Sequence, residues 1–140
     1  MKMPLWSWRA LIMAGVVGLY SCGDTMTAPS RLPPGVWGGD HILMSVTDVS
    51  THVELDCAHG DIPMVLPLDR QGQFNVAGTY VREHGGPIRQ GEIPDSRPAI
   101  YSGFVASAMM TLTIRLADTN ESLGTFSLAS GSSGRVVKCL

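Results

Sequence analysis

The sequence predicts an all-β domain: a single antiparallel meander of about eight strands, closed or nearly closed into a small barrel. Three observations carry this expectation. Beyond residue 34 apolar and polar residues alternate with period two, turn-forming residues recur at short intervals, and no stretch of a dozen residues repeats with helical period.

Eight segments carry the pattern: 41–48, 52–57, 62–68, 73–84, 99–107, 109–117, 123–130 and 135–140. In the second, Glu54 and Asp56 fall on the face opposite Leu55 and Cys57. In the fourth, Phe74, Val76, Gly78 and Tyr80 share a face opposite Asn75 and Thr79. In the sixth, Met110, Leu112, Ile114 and Leu116 oppose Thr111, Thr113 and Arg115, as a half-buried strand requires. Connections such as "DRQG" at 69–72 and "DTNE" at 118–121 are short enough for hairpins. Strands joined by hairpins form a meander, and eight close into a barrel that leaves no edge unpaired. A flattened β-sandwich is the alternative. Glycines at 78, 103 and 124 fall inside strand patterns, where bends or bulges are expected.

The N-terminus follows a different logic. Lys2 and Arg9 precede an apolar run from Ala10 to Tyr20, 11 residues long, with small residues near its end. That is the layout of a secretory signal peptide, and it is too short for a bilayer-spanning helix. The residues that close it, "LYSC" at 19–22, resemble the lipobox of bacterial lipoproteins. The resemblance implies a diacylglyceryl group on the Cys22 thiol, cleavage before Cys22, and acylation of the new amino terminus, as with palmitate. Several acyl chains together give stable anchoring, since each buried CH₂ contributes about 0.8 kcal/mol. An ordinary signal peptide cut near Ser21 is the alternative. The implied address is the bacterial cell envelope, and Gly23 after the cysteine favours the outer membrane where there are two.

These readings divide the chain into a signal peptide at 1–21, a lipidated flexible tether at 22–34, rich in Pro, Ser and Thr, and a barrel domain at 35–140. From Cys22 onward 8 basic side chains face 12 acidic ones, a formal charge of −4, and no basic run exceeds one residue. That argues against nucleic acid as a partner and leaves membrane attachment to the lipid. With Cys22 lipidated, Cys57 and Cys139 form an even pair in an oxidising compartment, where a disulfide is expected; two buried free thiols are the alternative. Such a bridge joins the second segment to the eighth. Either the C-terminal tail leaves the barrel wall and crosses an end, or the topology is not a simple meander.

"GVWGGDHILMSV" at 35–46 resembles the Gly-x-Trp opening of the calycin barrels, lipocalins and avidins, and "GQFNVAGTYV" at 72–81 is similar to an avidin-like hairpin. That resemblance implies that Trp37 packs across one end of the barrel.

Signatures of catalysis are missing: there is no Gly-x-Ser-x-Gly, His-Glu-x-x-His, Cys-x-x-Cys or phosphate-cradling loop, and no cofactor is expected. "ELDCAHGD" crowds Glu54, Asp56, His59 and Asp61, which makes Asp56, His59 and Asp61 candidate metal ligands; a solvated strand face is the plainer account. His41, after two glycines, reads as a strand-end histidine bonded to backbone or as a ligand. The longest irregular segment, 84–98, is either a binding loop or a mobile connector. Small barrels either fill with side chains or enclose one ligand. The leading functional expectation is therefore a binding module for a small apolar ligand, with Tyr80, Tyr101 and Phe104 as pocket candidates. The second is an envelope interaction protein with a filled core. A metal protein or enzyme using the 54–61 cluster comes third.

Overall fold

The computed structural model describes residues 30–140; the expected signal peptide, Cys22 and most of the expected tether lie outside them. Ten strands run in chain order: β1 Ser30–Arg31, β2 Gly35–Gly39, β3 Ile42–Val46, β4 Thr51–Leu55, β5 Ala58–Ile62, β6 Pro67–Leu68, β7 Gln73–Arg82, β8 Asp95–Ala106, β9 Met109–Leu116 and β10 Ser122–Ser130. Eight of them close an antiparallel barrel in the order β10-β2-β3-β4-β5-β7-β8-β9, while β1 and β6 pair as a separate two-stranded sheet. The barrel is the expected up-and-down meander.

Its membership differs from the sequence reading at three places. Gly35–Gly39 is a barrel strand, masked in the sequence because three of its five residues are glycine. The segment 62–68 is mostly connector: Pro63 and Pro67 supply no backbone donor, and the strand in that place is Ala58–Ile62. The segment 135–140 is not a strand of the wall but a strap, joined to it by one parallel bridge between Asp40 and Arg135. The irregular loop is also shorter than expected, because Asp95–Pro98 pairs with Thr79–Arg82 and leaves 83–94 unpaired.

Alternation sends one side of each strand into a common core. Ile42, Met44, Val53, Ile62, Leu112, Ile114 and Leu128 are completely buried there. Tyr101 is buried among them, its ring lying over Gly60 and Gly78, where a Cβ at either position would meet it. Its hydroxyl donates to the Thr79 carbonyl at 2.6 Å. Of the in-strand glycines, Gly124 alone marks the expected irregularity, a register shift between Ser122 and Gly124. Gly78 and Gly103 keep regular pairing and serve close packing instead.

The two ends of the barrel are built differently. At the end where β2 begins, the Leu32 amide donates to the Leu66 carbonyl at 2.9 Å, and both leucines are buried in the core. Trp37, 6% exposed, lies two residues into β2, paired with Met44 and Ser130. At the opposite end lie the β2–β3 and β4–β5 turns, the 83–94 loop and the β9–β10 turn.

The strap connects these levels. After β10 the chain runs back across the outer face of β2, where a Cβ on Gly38 would collide with the backbone of Ser132 and Gly134. It then follows the turn-bearing rim. The His41 amide donates to the Arg135 carbonyl at 2.7 Å, the Arg135 amide to the Gly39 carbonyl at 2.9 Å, and the Cys57 amide to the Val137 carbonyl at 3.3 Å. Cys57 and Cys139 are joined by a disulfide, with Cα atoms 4.9 Å apart. Of the two arrangements the sequence left open, the tail leaves the wall and crosses an end.

Candidate functional site

The turn-bearing end holds a hollow of about 190 Å³ lined by His41, Leu55, Asp56, Tyr80, Ile114, Leu123 and Phe126. Its origin lies in strand parity and one bulge. Leu55 closes β4 and Tyr80 nears the end of β7, each on the inward-facing side before its turn, while Leu123, second in β10, falls within the register shift between Ser122 and Gly124. Ile114, completely buried, is part of the packed core below. Polar atoms stand to one side: His41 Nδ1 lies 2.5 Å from Asp56 Oδ2, and the Val137 amide donates to Asp56 Oδ1 at 2.7 Å. Asp56 is held below the ordinary carboxylate range, first by that backbone donor and then by His41, with partial burial acting against them. The mouth is thus apolar with an anionic edge.

Beside it, on the outer face of β4 and β5, lies a polar network. Register places His52 opposite Asp61 and Glu54 opposite His59. His52 Nδ1 lies 2.6 Å from Asp61 Oδ1 and its Nε2 lies 2.7 Å from Glu54 Oε1. His59 Nδ1 lies 2.6 Å from Glu83 Oε1, and the two imidazole rings are 5.9 Å apart. Lys138, on the strap, ion-pairs with Glu54 and reaches both Glu83 oxygens at 3.3 Å. The hydrogen bond to Asp61 is the main cause raising His52 above its ordinary pKa; burial opposes it, and Glu54 adds to the rise. Burial pushes Glu54 and Glu83 upward, but their bonds to Lys138 and to His52 or His59 outweigh it and hold both carboxyls below the usual range. Each carboxylate in this network is answered by an imidazole or ammonium, which makes the network a latch for the strap.

The metal-candidate residues take separate partners: Asp56 pairs with His41, His59 with Glu83, and Asp61 with His52. Among the described residues, no group of three or more His, Cys, Asp or Glu side chains is placed to hold a metal ion. The pocket candidates also separate. Tyr80 lines the mouth, Tyr101 is core with 0% exposure, and Phe104 is 46% exposed on the outer wall. His41 combines a backbone bond to the strap with a side-chain bond to Asp56. The 83–94 loop is tied to itself by a His84–Glu92 ion pair and by the Arg89 amide, which donates to Glu92 Oε2 at 3.0 Å.

Sequence reasoning missed Leu55, Ile114 and Leu123 as mouth residues, although the parity of a strand-terminal position carries that signal for Leu55; Leu123 is placed by the bulge at the start of β10. It also missed Glu83 and Lys138. Their meeting across 55 residues has no local signature. No family model matches the chain, and neither a curated protein nor a solved structure matches it.

Proposed function

We propose that this chain is a lipid-anchored, non-enzymatic binding module of the bacterial cell envelope, held through Cys22 and resident in the outer membrane where the cell has two. The mouth of the barrel takes a small apolar ligand, or the apolar part of one. The observation that carries the reading is the hollow between Leu55, Tyr80, Ile114, Leu123 and Phe126, open beside the ionised Asp56. Its volume of about 190 Å³ is smaller than the roughly 300 Å³ at which drug-sized sites begin, and it suits a single ring, since an apolar cavity of about 150 Å³ accommodates benzene. A hydrogen-bond donor or positive charge on that ring would complement Asp56.

The experiment is native mass spectrometry of protein purified from its own host, paired with NMR titration of benzylamine. The expected result is a retained small molecule, or benzylamine-induced shifts at Tyr80 and Phe126 that Leu123→Trp removes by filling the mouth. An empty protein whose Tyr80 and Phe126 signals ignore the probe contradicts it. The filled interior supports a second reading, an envelope interaction protein that uses its outer surface. That same negative result would favour it.

A further inference from the structure

Among the described residues, the exposed large apolar side chains gather at the two ends of the barrel: Ile88 and Ile93 on the 83–94 loop and Val137 and Leu140 on the strap, 59% to 106% exposed, belong to the turn-bearing end, and five others belong to the opposite end. Val36, Val49, Met64, Phe104 and Met109 are between 42% and 73% exposed. Val36 is second in β2, Val49 tips the β3–β4 turn, Met64 follows β5, Phe104 is near the end of β8 and Met109 starts β9. By strand direction all five belong to the end plugged by Leu32 and Leu66. They form a discontinuous apolar rim around it. The charged residues of that end are few and balanced: Arg31 and Arg70 against Asp48 and Asp69. The charges of the strap, the 83–94 loop and Glu54, His59 and Glu83 of the latch belong to the other half, while Asp61, paired with His52, stands one residue inside this end.

The described chain also enters at this end, through Ser30. Ser30 is eight residues after Cys22, and a fully extended chain of that length spans at most about 28 Å. If Cys22 carries the lipid, this end of the barrel is held within that reach of the bilayer, with the apolar rim toward it.

We propose that this end is a membrane-docking surface, with Val36, Val49, Met64, Phe104 and Met109 resting in the headgroup region of the bilayer that holds the anchor. Arg31 and Arg70 lie at phosphate level, and the mouth faces away from the membrane. The inference rests on lipidation of Cys22 and goes beyond it: an anchor alone would leave the domain tumbling on its tether. A bilayer is preferred over a protein partner because the short connection enforces its proximity and because the rim encircles an end instead of forming one compact patch.

Peroxide footprinting of methionine tests it. Met64 and Met109 are exposed, while Met44 and Met110 are buried and serve as internal controls. The lipidated chain from host membranes is reconstituted in vesicles of phosphatidylethanolamine and phosphatidylglycerol, and sulfoxide formation is compared with the soluble Cys22→Ser form. The expected result is co-sedimentation of the lipidated chain and a several-fold slower oxidation of Met64 and Met109 in it. In a lipidated Val36→Glu, Val49→Glu double variant, co-sedimentation persists but Met64 and Met109 regain the soluble rate. Co-sedimentation with unchanged oxidation overturns docking and leaves the anchor standing. Failure to co-sediment overturns the anchor and docking with it. Protection in the soluble form that grows with protein concentration assigns the rim to a second copy of the chain and overturns the membrane reading.

Discussion

Tyr101 illustrates what a single residue needs from its neighbours. Its ring occupies space that Gly60 and Gly78 leave empty on two adjacent strands, and its phenol is pushed well above its ordinary pKa by burial. Gly60→Ala should destabilise the fold by about 1 to 3 kcal/mol, because the new methyl meets the Tyr101 hydroxyl and the Thr79 carbonyl. Tyr101→Phe should cost less, about 1 kcal/mol, for the lost bond to Thr79. Urea unfolding of the two variants checks the order; equal stability of Gly60→Ala and wild type would mean the slot is not tight. The sequence shows Tyr101 as an aromatic in a strand pattern but not as core, because that depends on glycines at positions 60 and 78 meeting across a sheet. Phe104 was legible only as an aromatic; its parity places it on the outer wall.

Among the elements, the strap is what local pattern could not disclose. "RVVKCL" has the composition of a strand, yet it pairs with the wall through one bridge and is held by side chains, Asp56 and Lys138, and by the disulfide. Because the folded pKa of Asp56 is depressed, its contribution is fully present above the ordinary carboxylate value near 3.9 and is lost as pH falls through the lower folded value. Acidification through that window should therefore lower the protection of the Val137 amide, relative to its intrinsic exchange rate, before the core strands respond. Asp56→Ala, which removes the acceptor, should show the low protection already at neutral pH. His52 has the opposite sign. Its raised pKa means that its contribution is complete below the ordinary value near 6.5 and fades as pH rises through the folded one. His52→Gln should flatten that part of the stability profile, and a variant whose melting follows wild type from pH 5 to 9 would detach the imidazole from the latch. The meander itself was legible, since period-two alternation survives in β4, β7, β8 and β9. The glycine-rich β2 was not, because alternation needs side chains to be seen.

Across the whole molecule, closure depends on its shortest wall pairing. β10 meets β2 through only Leu128–Gly39, Ala129–Gly38 and Ser130–Trp37, and the strap lies over that seam. The Cys57–Cys139 bridge spans 82 residues, which in the chain-entropy account stabilises the fold by around 4 kcal/mol. Reduction should lower the melting temperature markedly; indifference to reductant would contradict that role for the bridge. Trp37→Ala should cost about 3 to 5 kcal/mol, read by calorimetry, because the indole is buried beside the same seam. Wild-type melting in that variant would deny the indole its part in the core. The pairing of the two cysteines was legible from their number and expected compartment, whereas the path that brings them together needed the fold. The mouth and the apolar rim were illegible for the same reason: each gathers residues from four or more separate segments. Cys22 is decisive, since the proposed address, the proposed orientation of the barrel and an outward-facing mouth would all follow from a lipid there. Intact-mass analysis of the protein extracted from its host's membranes is the most direct measurement. A chain beginning at Cys22 and carrying diacylglyceryl and acyl groups is the predicted result, and an uncut, unmodified polypeptide would contradict the account.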